Sequence, residues 1–201
     1  VKQGSKENRL PDGQSWSRVD EEGLRLFFEH ISASFPERDQ VVFLCIGSDR
    51  STGDALGPLV GSMLKAQGFP NVIGTLEQPC DADKVSSVLA AYKGIGTTIV
   101  AIDACLGRAE SVGLYLVRNG PLQPGEAVGQ KLPRVGDYSV AVVVGAQGHK
   151  PYWIIQTTSL HYVLQMARAV VRAAARVWGG RHGKGNSPAM ESFEFLDSSH
   201  E

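Results

Sequence analysis

The run Val41-Val42-Phe43-Leu44-Cys45-Ile46, closed by Gly47, constrains the fold of this chain more than any other stretch. Consecutive apolar residues, several of them β-branched, leave no polar face for water, so the segment reads as a strand buried on both sides. Such strands belong to parallel sheets, whose connections must cross over through helices. Suitable helical patterns lie on either side. Leu24, Phe27, Phe28 and Ile31 recur at helical spacing until Phe35-Pro36 ends the element. Over residues 55–67, Leu56, Leu59, Val60, Met63 and Leu64 form one stripe, and Pro58 is tolerable only in a first turn, which fixes the start near Asp54 or Ala55.

The alternation continues. A short strand is predicted over 71–76, a helix over 82–92 with Val85, Val88, Leu89 and Tyr92 inward, and a strand over 97–103. Residues 111–117 and 153–157 read as further strands, and Ser159 as the cap of a long helix over 160–178. The run over 138–145 fits a buried strand, but Gly136-Asp137 before it could equally cap a helix, so it stays unassigned. The implied class is α/β, a twisted, mostly parallel sheet sandwiched between helices in three layers. Residues 1–17 read as a polar arm, 18–178 as one domain, and 179–201, beginning at Gly179-Gly180, as a polar tail.

Composition narrows the function. The chain's 20 Lys and Arg against 21 Asp and Glu give a net charge of -1, without the basic excess that a nucleic-acid partner calls for. No leader-like or membrane-spanning apolar stretch is evident. Cys45, Cys80 and Cys105 are odd in number and lack CxxC spacing, which suits a reducing, cytoplasmic setting better than a disulfide framework. Neither nucleic acid nor membrane is an expected partner; a peptide or protein substrate is expected from the family resemblance given below, and a homo-oligomer is compatible with the sequence and not specified by it.

Ligands of open α/β sheets bind beyond the carboxyl ends of the strands, which points to residues 47–57 and 103–108. The first loop, Gly47-Ser48-Asp49-Arg50-Ser51-Thr52-Gly53-Asp54-Ala55-Leu56-Gly57, lacks the GxGxxG spacing and the Gly-Lys-Ser/Thr ending of nucleotide sites. Its distinctive residue is Asp54, which could also be a plain helix N-cap. Asp103 follows Thr98-Ile99-Val100-Ala101-Ile102, just past a buried strand, where strand formation explains an acid poorly; a capped turn or an ion pair with Arg108 is the bland alternative. If the two acids converge above adjacent strands, their like charges raise one pKa and leave one proton between them. Such a pair can activate water and protonate a leaving amine. Arg50, Ser51, Thr52, Arg108 and Lys131 are the candidate substrate-binding residues, the cations being placed to hold an ionised acid or a substrate carbonyl. Cys105 has no base beside it and reads as a small core residue rather than a nucleophile.

The motif Ser51-Thr52-Gly53-Asp54-Ala55-Leu56-Gly57-Pro58-Leu59-Val60, then Val100-Ala101-Ile102-Asp103-Ala104, then Pro124-Gly125-Glu126-Ala127-Val128-Gly129 with Lys131, resembles the germination protease family of endospore-forming bacteria. Length and the stretch Lys131-Leu132-Pro133-Arg134-Val135-Gly136-Asp137 resemble the shorter YyaC-type sporulation proteins related to it. The resemblance covers residues 40–178 and implies the fold of the hydrogenase maturation proteases, catalytic roles for Asp54 and Asp103, and the cytoplasm of a sporulating cell. It implies a peptidase-like hydrolase; a non-catalytic peptide-binding or regulatory protein that kept the fold is the alternative. The metal-binding relatives add a histidine to the two acids, but residues 128–137 contain none, and His149 and His161 lie further along. Neither metal nor other cofactor is therefore expected.

Overall fold

The computed structural model describes residues 15–81, 84–85, 97–125 and 133–179. Within them a six-stranded mixed sheet runs in the order β1-β5-β6-β4-β2-β3. Its strands are β1 (Ser17–Val19), β2 (Val41–Cys45), β3 (Val72–Ile73), β4 (Thr98–Gly107), β5 (Tyr115–Asn119) and β6 (Tyr138–Ala146). Its helices are α1 (Glu21–Ser34), α2 (Leu56–Ala66), α3 (Pro151–Gln156) and α4 (Leu160–Trp178). The four strands β6, β4, β2 and β3 pair in parallel, while β5 joins β6, and β1 joins β5, antiparallel. Helices flank this sheet, as the sequence pattern requires of parallel strands.

Every residue of β2 is buried. Its Val41, Phe43 and Cys45 enter a large core with α1, α2 and α4, while Leu44 turns to a smaller cluster on the opposite face with Ile46, Cys80, Val85, Ala101, Leu122 and Val135. Lys84 and Val85, the described part of the helix expected over 82–92, are helical; the rest of it lies outside the described residues. The same is true of residues 1–14 and 180–201, of Glu126-Ala127-Val128-Gly129 and of Lys131.

Glycines bring α2 against the sheet. A Cβ on Gly57 would stand 1.9 Å from the carbonyl oxygen of Ile46, and one on Gly61 at 1.9 Å from that of Gly74. The helix therefore lies with its backbone directly on the carboxyl ends of β2 and β3. Trp178 closes the far side of the core, its indole N–H donating to the Phe35 carbonyl at 3.0 Å. Arg38 clamps the same corner, donating to the carbonyls of Trp178 and Gln67 while its guanidinium covers the Phe69 ring.

Two elements differ from the sequence reading. Residues 153–157, read as a strand, belong mostly to helix α3, which Pro151 opens at its first turn; the aromatic and β-branched content that suggests a strand is outweighed by that start signal, and Tyr152 and Trp153 point to solvent. The strand expected over 111–117 begins only at Tyr115, because Ala109–Ser111 forms a 3-10 turn first. The unassigned run is strand β6, and Asp137 before it caps no helix. Its Oδ2 accepts hydrogen bonds from the Ile99 amide at 2.9 Å and the Thr98 hydroxyl at 3.4 Å, tying the starts of β4 and β6 together. Ser159 does stand at the N-cap of α4, without a side-chain capping bond.

Gly57→Ala is expected to lower the unfolding free energy by about 3 kcal/mol, since the added methyl meets backbone rather than a movable side chain. Urea denaturation of the two proteins measures it.

Candidate active site

The carboxyl edge of the sheet is stepped. β4 pairs with β2 only as far as Cys45 and Ile102, then continues beside β6 through a register shift at Cys105 and Leu106. Asp103 is the first residue past that step. It lies inside β4, opposite Ala141 of β6, and not in a loop after the strand as the sequence suggested. The reason is that β6 keeps β4 extended after β2 has ended. Strand alternation puts Asp103 on the face of Ile99 and Ala101, away from the helical core of Val100, Ile102 and Ala104.

Asp54 comes to the same place from the loop after β2. The N-cap of α2 is Ala55, so Asp54 is not the cap; its carboxylate instead accepts the Ser48 amide across the loop. Gly47, at φ +143°, lets the chain reverse there, with the Asp54 carbonyl where a Cβ would be. The loop is also held from outside, for the Gly53 amide donates to the Ile155 carbonyl in α3 at 2.9 Å, an approach that a side chain at position 53 would block.

Between these elements lies a cavity of about 550 Å³ lined by both acids. Ser48, Arg50, Ser51, Asp81, Cys105 and Gly125 contribute further polar groups, and Trp16, Tyr152 and Ile155 apolar surface. Of the expected substrate-binding residues, Arg50 and Ser51 reach it. Thr52 does not line it, and Arg108 is an exposed residue preceding the 3-10 turn. Asp81 and the aromatic pair Trp16 and Tyr152 have no counterpart in the sequence reading. A parallel bridge between Ile46 and Cys80 brings Asp81 in, a contact that no local pattern announces.

Burial governs the charges. The Asp103 carboxyl is pushed up to about 8, first by desolvation and then by the charge of Asp54, although the amides of Ala104, at 2.8 Å, and Gly125 donate to it. The Pro124-Gly125 turn, at φ +70° on the glycine, thus has a physical role beside the acid. Asp54 is raised too, by burial above all, with the Ser48 amide pulling it down and Asp81 pushing it up. Burial, then Asp103, drives the Cys105 thiol to about 12, which leaves almost no thiolate near neutrality. Both acids are thus pushed toward their protonated forms, Asp103 in part by the charge of Asp54.

Among the described residues no three His, Cys, Asp or Glu side chains converge closely enough to hold a metal ion, and His149 and His161 are exposed, away from the cavity. Among the described residues no histidine therefore joins the two acids to complete the set that the family resemblance implies for its metal-binding members. Also among the described residues, no helix is long and apolar enough to cross a membrane.

Asp103 binds its proton more tightly in the folded protein than in the unfolded chain, whose aspartates titrate near 3.8. Its contribution to stability is greatest below pH ~4, falls as pH rises toward about 8 and is level above that. Asp103→Asn is expected to flatten this slope and to stabilise the fold at pH 8 by on the order of 1–3 kcal/mol. Melting temperatures across that pH range check it.

Among solved structures, the chain is similar to two hydrogenase maturation proteases of Thermococcus kodakarensis. [NiFe] hydrogenase maturation protease HycI, from strain KOD1, is 19% identical with a TM-score of 0.43, over 67% of this chain and 92% of that one. [NiFe] hydrogenase maturation protease HybD is 16% identical with a TM-score of 0.44, over 69% and 99%. The uncharacterized protein YyaC of Bacillus subtilis (strain 168) is 42% identical over 136 residues, which are 65% of this chain and 65% of that relative's length. A family model described as protein of unknown function (DUF1256) matches residues 17–173, from β1 into α4, and the chain belongs to that family.

Proposed function

We propose that the chain is a peptidase-like hydrolase in which Asp54 and Asp103 divide the work of a general base and a general acid. The observation that supports this reading is the pair itself, two carboxyls lining one cavity, where burial and then the charge of Asp54 push Asp103 up to about 8. Ionised Asp54 would take a proton from a water in the cavity, and the resulting hydroxide would attack the peptide carbonyl carbon. Asp103 would give its proton to the departing amine nitrogen. A cavity of about 550 Å³ is large enough to take a short peptide segment. The link to the germination protease family, and with it a place in sporulating cells, rests on the motif resemblance.

Activity on a peptide library should give a bell-shaped pH profile, rising as Asp54 ionises and falling as Asp103 loses its proton near pH 8. Asp54→Asn and Asp103→Asn should each remove most turnover, about 100-fold or more, and the double variant should lose no more than either. Cys105→Ser should be nearly as active as the wild type. An inactive Cys105→Ser beside active Asn variants would make the thiol the nucleophile and end this mechanism. Reproducible peptide binding without cleavage by any protein would instead identify a non-catalytic peptide-binding protein.

A further inference from the structure

The cavity holds a third carboxylate that the proposed reaction does not use. The Gly47 amide donates to the Cys80 carbonyl at 3.0 Å, which draws the chain after β3 against the end of β2 and sets Asp81 on the cavity wall. Its Oδ1 is buried and has no hydrogen-bond partner among the described residues. The Ser51 hydroxyl, lining the same cavity, is likewise buried and unpartnered. Buried acceptors in this condition cost free energy that an incoming donor recovers, most of all when one is a carboxylate.

The surroundings select the kind of donor. Among the described residues Arg50 is the cavity's one cation; it is exposed, and its guanidinium Nε donates to the Ser48 hydroxyl at 3.4 Å. Three carboxyl groups, those of Asp54, Asp81 and Asp103, line the same cavity. Trp16, 40% exposed, and Tyr152, 64% exposed, line the mouth and offer apolar surface for an aliphatic stem. From this convergence we infer that Asp81 determines specificity, and that the substrate is a peptide bearing a basic side chain whose cationic head bonds Asp81 and the Ser51 hydroxyl. Arginine suits it better than lysine, because its planar fork can serve two acceptors at once. The inference deepens the peptidase reading and rests on it for the word substrate.

The test uses four peptides identical except for one residue, Arg, Lys, Gln or Glu, with cleavage and binding measured separately on the wild type, Asp81→Asn and Asp81→Lys. The wild type should cleave and bind the Arg peptide about tenfold or more better than the Gln peptide. Asp81→Asn should bring the two within a few-fold of each other, and Asp81→Lys should turn the preference toward Glu. Equal treatment of all four peptides by the wild type overturns the inference without any variant having to fold, and so does an Arg preference that persists in folded Asp81→Asn. If the wild type cleaves none of them, the peptidase reading fails while the binding titrations still decide this one. An Arg preference in binding that Asp81→Asn abolishes supports it, and equal or absent binding of the four overturns it.

Discussion

Everything at the carboxyl edge depends on one contact, the backbone of α2 lying on the ends of β2 and β3. Gly57 and Gly61 have no Cβ, so the helix comes nearer to the strands than any other residue would allow. Because the start of α2 is set down over the end of β2, the loop between them is short of room and has to fold back on itself. That compression brings the Ser48 amide to the Asp54 carboxylate and turns the acid toward the cavity. A helix held a few ångströms further out would leave the loop free to swing and the acid to solvate.

The second determinant is the unequal length of neighbouring strands. Where β2 stops and β4 goes on, the sheet presents side chains to the cavity from within a strand, and Asp103 is the first of them. Its environment is poor in water yet supplies two backbone amides. The combination keeps a carboxyl neutral near physiological pH and still orients it, at a cost in folding free energy that a core of this extent can bear. Stability is spent at the site and gathered on the helical face, where Trp178, Phe43 and Phe28 pack ring against ring.

Much of this was legible in the residues. The continuous apolar run of β2, the stripe of α2 and the long amphipathic α4 carry strong local signals, and all three elements stand where those signals put them. Acids near strand ends drew attention to Asp54 and Asp103 because strand formation accounts poorly for an acid at Asp103. What escaped depends on contacts distant in sequence. Asp81 follows a single bridge to Ile46, Trp16 reaches the cavity from before β1, and β6 is marked as a strand only by pairing with both β4 and β5. The error over 153–157 is of another kind, since side-chain preference there opposed the start signal of Pro151, and a short segment that buries only Ile155 gave packing little vote.

The bond from the Gly53 amide to the Ile155 carbonyl bears on how such chains can vary. The connection between β6 and α4 runs over the surface, and surface connections ordinarily gain and lose residues with little consequence. Here the last turn of α3 is a ruler for the acid-bearing loop. A residue inserted or deleted between Ala146 and Ile155 would shift the carbonyl that Gly53 reaches and carry Asp54 with it. Among relatives that keep both acids, this connection should hold its length while its exposed side chains drift.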